Sequence, residues 1–302
     1  MPSAHEAIRP AAYGGGRPQS RVTFSRFTLY ALLALLALLF LLPIYVMVVN
    51  SVKPLDEIRT GNLIAFPQTW TVQPWLTAWS TAQIGVQPTG LKPYFINSFL
   101  LVVPAVTVSV LLGALNGYIL TQLRFRGAHL VFAAMLFSVF IPFQIVLIPM
   151  AMTLGFLGLA GTVKGLVFVN VVYGIGFTTL FFRNYYAAFP GELVRSARMD
   201  GAGFFDVLWR ILLPNSAPII IVTVIWQFTA IWNEFLFAAS FSDFSSFPIT
   251  VALNNLVNSS TGVKEYNVHF AGAFIAAMPT LTVYLLSGKY FVRGLMAGSV
   301  KG

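Results

Sequence analysis

The sequence predicts an all-α polytopic membrane protein that crosses the bilayer six times. Of the 302 residues, 57% are hydrophobic and only 9% are charged, whereas charged residues make up about 25% of a typical soluble domain. Uncharged stretches, each long enough for about 20 helical residues, recur along the chain. They are continuously apolar and lack the alternation of membrane β-strands, so we expect helices.

The uncharged stretches place the spans in order. We predict them at residues 27–50, 96–120, 130–152, 164–183, 218–241 and 268–289. The first resembles a signal peptide only in following basic residues, since it is too long and no small-x-small cleavage site follows it. Residues 1–26 are predicted to be a disordered tail, and residues 27–302 the transmembrane domain. Pro43 in the first span and Pro142 and Pro149 in the third predict kinks.

Lys and Arg residues near the spans set the predicted orientation. One side of the membrane receives Arg9, Arg17, Arg21, Arg26, Arg124, Arg126, Arg183, Arg195, Arg198, Arg210, Lys289, Arg293 and Lys301. The other side receives only Lys53, Arg59, Lys92, Lys164 and Lys264. The side richer in basic residues faces the cytoplasm, so both termini are predicted to be cytoplasmic. Because this placement accounts for the net charge of +9, we expect no nucleic-acid partner.

Two long loops are predicted outside the cell. The first, 51–95, contains Trp70, Trp75 and Trp79. We favour anchoring of these rings at the membrane interface over stacking on sugar. The second, 243–267, is polar, and either covers a pore mouth or touches a partner protein.

The longest cytoplasmic loop, 184–217, is predicted to be a helix-turn-helix. Apolar residues keep helical spacing on each helix, as Leu193 and Ala197 and then Phe204, Leu208 and Ile211. Such a stripe has no lipid to bury in, so it either folds back on its own bundle or fills a groove on another protein.

Local signals mark the ends of the two helices. Pro190 suits a first helical turn, where Glu192 complements the helix dipole. Gly201 breaks the run, and Asp200 is expected to cap the second helix. Pro214 ends the second helix or links it to the fifth span.

The run 195–202, followed by Ile211-Leu212-Leu213-Pro214, resembles the coupling loop of ATP-binding-cassette importer permeases. That loop reads Glu-Ala-Ala, three residues, Gly, nine residues, and Ile-x-Leu-Pro, and the spacing matches at every step. Asp200-Gly201-Ala202 is the form typical of the carbohydrate-uptake branch. The resemblance implies an ATPase-coupling surface made of Glu192, Arg195, Ser196, Ala197, Asp200, Gly201, Ala202, Leu213 and Pro214.

The departure from the family pattern lies at the start of the motif. The family's Glu falls on Arg195, and its first Ala on Ser196. Since the family's Glu pairs with the ATPase, this reversal of charge implies an acidic residue on the partner, or that Glu192 makes the contact instead.

Shorter motifs extend the resemblance along the chain from about residue 27. They are Ser51-Val52-Lys53-Pro54, Asn97-Ser98, Trp232-Asn233-Glu234-Phe235, and the run 290–295 with Ala297-Gly298. The segment 57–62 resembles glucose/mannose-type permeases most. Permeases for maltose-like oligosaccharides and for glycerol phosphate share most of the other features, so these substrates remain alternatives.

The resemblance implies a type I importer fold and several partners. These are a second homologous permease subunit, two ATPase subunits that hold ATP-Mg, an extracytoplasmic sugar-binding protein, and the membrane lipid. This chain is expected to bind no cofactor and to be no enzyme. It lacks a Walker A motif, because Tyr290 follows Lys289 where Ser or Thr is required.

Polar residues inside the spans are candidates for a translocation path. Glu234 is costly there, about 2.5 kcal/mol or more at the bilayer centre. Glu234 is either a path or gating residue, or it forms a helix-packing hydrogen bond with Asn233 or a neighbouring span, or it lies near the outer interface. The other candidates are Gln144, Asn170, Tyr173 and Gln227, for which bonding between helices is the commoner role.

Two other classes of membrane protein fit the sequence less well. An ion-driven secondary carrier needs paired ionisable residues near the midplane, and only Glu234 is available. A membrane enzyme needs acids, histidines or nucleophiles clustered at one depth. The sequence offers no such cluster, it has no cysteine, and its three histidines lack metal-binding spacing.

Overall fold

The computed structural model describes residues 24–123, 125–258 and 263–299, with side chains as far as Ser287. The predicted tail up to residue 23, Arg124, and the side chains of the motif at 290–298 lie outside the described residues. The regular elements are α1 (Phe24–Ser51), α2 (Leu55–Thr60), α3 (Gln73–Ser80), α4 (Lys92–Gln122), α5 (Ala128–Val139), α6 (Phe143–Phe156), α7 (Val163–Ala187), α8 (Gly191–Met199), α9 (Phe204–Asp206), a π-helical turn (Val207–Leu212), α10 (Leu213–Asn215), α11 (Ala217–Trp232), α12 (Leu236–Phe241), α13 (Ile249–Asn258) and α14 (Tyr266–Ser299).

The chain divides between Met47 and Val48 into two compact units. In the first unit, the described residues form most of α1, an apolar helix that begins three residues before the predicted span and contains Pro43. The second unit carries every other element named above.

Long apolar helices confirm the predicted fold class. Among the described residues, α1, α4, α7 and the segment Tyr266–Ser287 of α14 are each long and apolar enough to cross a membrane. Two bent pairs of helices also pass this test, which makes six crossings if each pair counts as one span.

The third predicted span, 130–152, is wrong as a single helix. It consists of α5 and α6, which meet at an angle of 103°. Pro142 is the N-cap of α6. Proline has no N–H to continue a helix and disfavours helical backbone in the residue before it, so the break falls where a kink was expected. Pro149 lies inside α6.

The fifth predicted span, 218–241, is also wrong as one helix. Here α11 ends at Trp232, and α12 begins only at Leu236. At its other end, α11 forms the second bent pair, at 80° to the helical segment Phe204–Asn215. Hydropathy alone could not separate α11 from α12, because both are apolar.

The core of the second unit is built on α4 packed against α7. An added Cβ at Gly113 would lie 2.6 Å from Thr178, and one at Gly117 would lie 2.7 Å from Phe182. Membrane helices approach this closely where small residues line the interface. Since both contacts advance by four residues, the two helices run parallel, and their C-terminal ends lie at the same end of the bundle.

The loop 51–95, which the sequence predicts to lie outside the cell, packs on the bundle more than the sequence predicted. Trp75 stacks on Phe274 of α14 at 6.0 Å between ring centroids, and Trp79 packs edge-on against Phe95 at 5.4 Å. Trp70 alone of the three is strongly exposed, at 68%. The rings of Trp75 and Trp79 join α3 to α14 and α4, and their anchoring at the membrane interface stays a prediction.

Buried polar contacts hold this loop to α14. Lys53 is 1% exposed, and its Nζ donates to the carbonyl of Asn62 at 3.2 Å. Asn50 Nδ2 donates to the carbonyl of Leu63 at 2.8 Å. Asn267 Nδ2 of α14 donates to the carbonyl of Lys53 at 3.0 Å. The Lys53 motif thus has a positional role in the fold.

The loop 243–267, also predicted to lie outside the cell, contains one helix among its described residues. It contains α13, whose Ile249, Ala252 and Leu256 are buried. Asn97 Nδ2 donates to the carbonyls of Ser245 and Phe247, and Ser98 Oγ accepts from the N–H of Ile249 at 2.8 Å. The Asn97-Ser98 motif therefore attaches this loop to the start of α4.

Candidate functional site: a polar helix-turn-helix and two broken spans

The predicted helix-turn-helix is present, and Gly201 forms its turn. Gly201 has φ of +88°, a left-handed conformation that glycine adopts without the steric cost other residues meet. Its N–H donates to the carbonyl of Arg198 at 3.1 Å, and the N–H of Ala202 donates to Ala197 at 2.9 Å. These two bonds form a Schellman motif, which satisfies the last carbonyls of α8.

The expected role of Asp200 as a cap of the second helix is wrong. Asp200 is the C-cap residue of α8. The second helix begins at Phe204 after Gly203, and the carboxylate of Asp206 accepts from the Gly203 N–H at 3.3 Å. The Schellman turn delays the second helix by three residues, so the cap shifts from Asp200 to Gly203.

A π-helical turn occupies the middle of the second helix. Leu213 donates its N–H to the carbonyl of Leu208, five residues earlier. Pro214 follows directly and has no N–H to donate to a carbonyl four residues earlier. Pro214 lies within the helix, which continues to Asn215 before the bend into α11. It therefore does not end the helix.

One face of the helix-turn-helix folds back on the bundle. Val194, Val207, Leu208 and Leu212 are all at most 4% exposed. The ring of Phe204 packs on Tyr118 of α4, with 4.7 Å between centroids. The prediction of Leu193 for this face is wrong by one residue, because Val194 is the buried residue of α8.

Four large apolar side chains of the helix-turn-helix are exposed. Leu193 is 51% exposed, Met199 82%, Phe205 65% and Trp209 55%. Large apolar side chains grouped on a polar segment mark interaction surfaces. Of the two alternatives left open by the sequence, folding back therefore describes the buried face, and docking of the exposed side chains to another protein stays a prediction. Sequence spacing did not single out Phe205 and Trp209, although they lie four residues apart.

Hydrogen bonds join the end of the second helix to α7. The hydroxyl of Tyr185 donates to the carbonyl of Asn215 at 2.6 Å. Ser216 Oγ donates to the hydroxyl oxygen of Tyr186 at 3.4 Å, and both residues are buried. Together with Phe204 on Tyr118, these contacts tie the segment to α4 and α7.

The charged residues at the start of α8 pair with each other. Arg195 Nη2 donates to Glu192 Oε1 at 2.7 Å, with both side chains more than 70% exposed. Ser196 Oγ donates to the carbonyl of Glu192 at 3.0 Å.

Glu234 caps α12 at the second break in the spans. Its Oε1 accepts from the N–H of Phe237 at 2.6 Å, and its Oε2 accepts from the N–H of Ala238 at 3.0 Å. A carboxylate at a helix N-terminus is stabilised by the free N–H groups and the helix dipole. This environment explains how an acid is accommodated within an apolar stretch.

Neighbouring residues of this motif fix the break. Trp232 Nε1 donates to the carbonyl of Ala276 in α14 at 2.9 Å. Asn233 Nδ2 donates to the carbonyl of Thr229 at 2.9 Å, closing the end of α11. Thr250 Oγ1 donates to the carbonyl of Glu234 at 3.0 Å.

The remaining path candidates divide by burial. Asn170 is 6% exposed and donates to the carbonyl of Leu166 in its own helix at 2.9 Å. Gln227 is 3% exposed, and its Nε2 lies 3.4 Å from Ser109 Oγ of α4. Gln144 and Asn233 are exposed.

Tyr173 lies between the two breaks. Its ring contacts Phe143 at 5.3 Å, at the start of α6, and Phe237 at 4.7 Å, at the start of α12. Phe143 and Phe237 also contact each other at 5.3 Å. The sequence did not point to these two phenylalanines, because phenylalanine occurs throughout the spans.

Comparison with known proteins identifies relatives along most of the chain. Residues 105–296 match the family described as binding-protein-dependent transport system inner membrane component. A probable ABC transporter permease protein of Pyrococcus horikoshii is 39% identical over 62% of this chain and 68% of its own length. The xylose/arabinose import permease of Haloferax volcanii is 34% identical over 68% and 73%.

Two further comparisons extend the coverage. The alpha-glucoside transport system permease of Rhizobium meliloti is 32% identical over 80% of this chain and 64% of its own length. A chain from the crystal structure of a bacterial ABC transporter that imports the acidic polysaccharide alginate superposes with a TM-score of 0.78, covering 91% of this chain and 100% of its own, at 19% identity. This likeness shows a shared fold.

Proposed function

The chain belongs to the family of binding-protein-dependent transport system inner membrane components, and on this premise we propose that it is the permease subunit of an ATP-driven sugar importer. It forms half of the translocation pathway and works with a second permease subunit, two ATPase subunits and an extracytoplasmic sugar-binding protein. Both of its termini lie in the cytoplasm. ATP-Mg is held by the ATPase subunits.

The exposed face of the helix-turn-helix carries the proposal. Leu193, Met199, Phe205 and Trp209 present apolar side chains that the described residues of this chain leave uncovered. An apolar face on a rigid helical pair suits insertion into a groove of another protein. The ATPase subunit is that protein, with the turn at Gly201 inserted into its groove.

The contacts of the opposite face provide a route from the ATPase to the spans. Movement of the segment reaches α4 through Phe204 and Tyr118, and α7 through Tyr185 and Asn215. ATP shifts the equilibrium between inward- and outward-facing states only if the ATPase dimer contacts this segment differently in its two states.

The two broken spans supply the proposed path. Irregular backbone is tolerated at membrane depth where it is buried in protein or lines a cavity. Tyr173, Phe143 and Phe237 join both breaks to α7, and exposed Gln144 and Asn233 offer hydrogen-bonding groups nearby in sequence. Asn170 and Gln227 act in helix packing.

The alternative of an ion-driven carrier lacks support at Glu234. Both of its carboxylate oxygens accept backbone hydrogen bonds at the start of α12. A carboxylate engaged in this way favours a structural role over proton or sodium coupling.

We assign the substrate to the sugars, with a monosaccharide such as glucose or mannose as the finer proposal. The relatives' names span a pentose permease and an alpha-glucoside permease. Uptake of labelled glucose by the complete transporter, with unlabelled mannose, xylose and maltose as competitors, tests this choice. Competition by maltose alone would assign the chain to oligosaccharide uptake.

The absence of cysteine from the chain permits a specific test of the docking face. In the complete transporter, Met199→Cys introduces a single thiol, which we expect to cross-link to the ATPase. Trp209→Ala should reduce both ATPase co-purification and sugar uptake, whereas Trp70→Ala, which removes another exposed indole, should change neither. Normal uptake by Trp209→Ala together with no cross-link from Met199→Cys would contradict the proposal.

A further inference from the structure

A basic cavity of about 360 Å³ lies between the ends of three helices. The lining residues are Leu120 and Thr121 of α4, Arg183 of α7, Ala128, His129 and Phe132 of α5, and Leu123, Phe125 and Arg126 from the connection that leads into α5. Since α4 and α7 run parallel, this is the end of the bundle that carries the helix-turn-helix.

The charge of the cavity is not neutralised within the described chain. Neither Asp nor Glu is among the lining residues. The ion pairs of the described residues are Arg195 with Glu192 and Arg210 with Asp206, and neither includes Arg126 or Arg183. Two guanidinium groups beside one cavity favour an anionic ligand.

The geometry of Arg183 suits a phosphate. Its guanidinium carbon lies 4.0 Å above the centroid of the Phe132 ring, an arrangement that orients the planar group. An arginine fork held in this way matches the oxygen atoms of a phosphate. The first N–H groups of α5 add positive potential, because its N-cap Gly127 offers no side-chain acceptor.

The rest of the wall is largely apolar and partly exposed. Leu123 and Phe125 are about 40% exposed. Among its residues α5 buries none, and Leu130 and Phe137 on it are more than 70% exposed. A free phosphate gains nothing from such a wall, whereas exposed apolar side chains beside the cavity suit acyl chains.

We propose that this cavity binds the headgroup phosphate of an anionic phospholipid. Arg126 and Arg183 contact the phosphate, and Leu123 and Phe125 contact the start of the acyl chains. Basic pockets between membrane helices on one face of the bilayer are known to hold such headgroups. The bound lipid would fix the ends of α4, α5 and α7 close to the helix-turn-helix.

Native mass spectrometry of the delipidated full-length chain tests the site. We expect added phosphatidylglycerol to bind and phosphatidylcholine with the same acyl chains not to bind. Arg126→Gln and Arg183→Gln should each weaken phosphatidylglycerol binding about tenfold, the loss expected for one hydrogen bond to a charged group. Arg59→Gln, which removes an exposed arginine of the first outer loop, is the matched control and should leave binding unchanged.

Several results would overturn the proposal. These are equal binding of the two lipids, equal binding by the arginine variants, and displacement of phosphatidylglycerol by inorganic phosphate, which would indicate a free-anion site. In the assembled transporter, loss of lipid binding together with cross-linking of Arg126→Cys to a partner subunit would assign the cavity to protein docking. Because Arg126 is exposed, its variant remains informative if Arg183→Gln fails to fold.

Discussion

Arg195 and Glu192 form an ion pair of 2.7 Å on the exposed surface of α8. The Glu192 carboxylate therefore lies within one helical turn of position 195, where the family pattern has a glutamate. Arg195, which stands in place of that glutamate, holds the carboxylate there. Because both groups are exposed, the pair contributes little to stability. Its geometry bears instead on which charge a partner protein meets.

This geometry predicts that Glu192 makes the acidic contact with the ATPase. Glu192→Gln should weaken ATPase co-purification while leaving the melting temperature of the chain unchanged. Arg195→Ala, which releases the carboxylate from its pair, should preserve co-purification or strengthen it. Unchanged association of Glu192→Gln, together with weaker association of Arg195→Ala, would instead make the arginine the contact residue.

Gly201 is predicted to be required for its backbone conformation. Nothing lies within 4 Å of the position of an added Cβ, so a substitution meets strain and no clash. A left-handed residue other than glycine costs roughly 1–2 kcal/mol, and asparagine tolerates it best. We expect Gly201→Val to uncouple ATP hydrolysis from uptake and Gly201→Asn to retain most coupling. Equal loss in both variants would mean that the partner requires a bare backbone at the turn.

Glu234 is predicted to stabilise the start of α12. Glu234→Ala removes both hydrogen bonds to backbone N–H groups and should lower stability by about 1 kcal/mol, as loss of a helix cap does. Glu234→Gln keeps one side-chain carbonyl acceptor and should lose less. Thermal unfolding in detergent measures both effects. If uptake depends on a proton or sodium gradient in the unsubstituted protein and this dependence is lost in Glu234→Gln, Glu234 acts in ion coupling, which would contradict this role.

Lys53 is predicted to hold the segment after α1 in place. Lys53→Met removes the donor to the Asn62 carbonyl while keeping an apolar chain of similar length. We expect hydrogen exchange of residues 55–66 to become about tenfold faster, since one hydrogen bond to a charged group contributes about 1.5 kcal/mol or more. Lys92→Met, at an exposed position, is the control. Unchanged hydrogen exchange in Lys53→Met would contradict this role and show that the hydrogen bonds of Asn50 and Asn267 are enough to hold the segment in place.

Features that depend on a few neighbouring residues could be predicted from the sequence. A turn at Gly201 and a break at Pro142 follow from backbone chemistry. The helix-turn-helix followed from spacing, although its second helix begins at Phe204 and takes its cap from Asp206, because a Schellman turn is longer than a simple break.

The sequence alone determined that the chain is an apolar, helical membrane protein with a polar helix-turn-helix, because lipid leaves backbone groups no partner outside helices. Only the tertiary structure decided that Val194 is buried and Leu193 exposed, that Trp75 and Trp79 pack on the bundle, and that Glu234 caps a helix. The first two depend on which distant residues come within contact distance, and the third depends on where α11 ends and α12 begins. Hydropathy cannot encode that information, since in a membrane protein the buried and the lipid-facing side chains are both apolar.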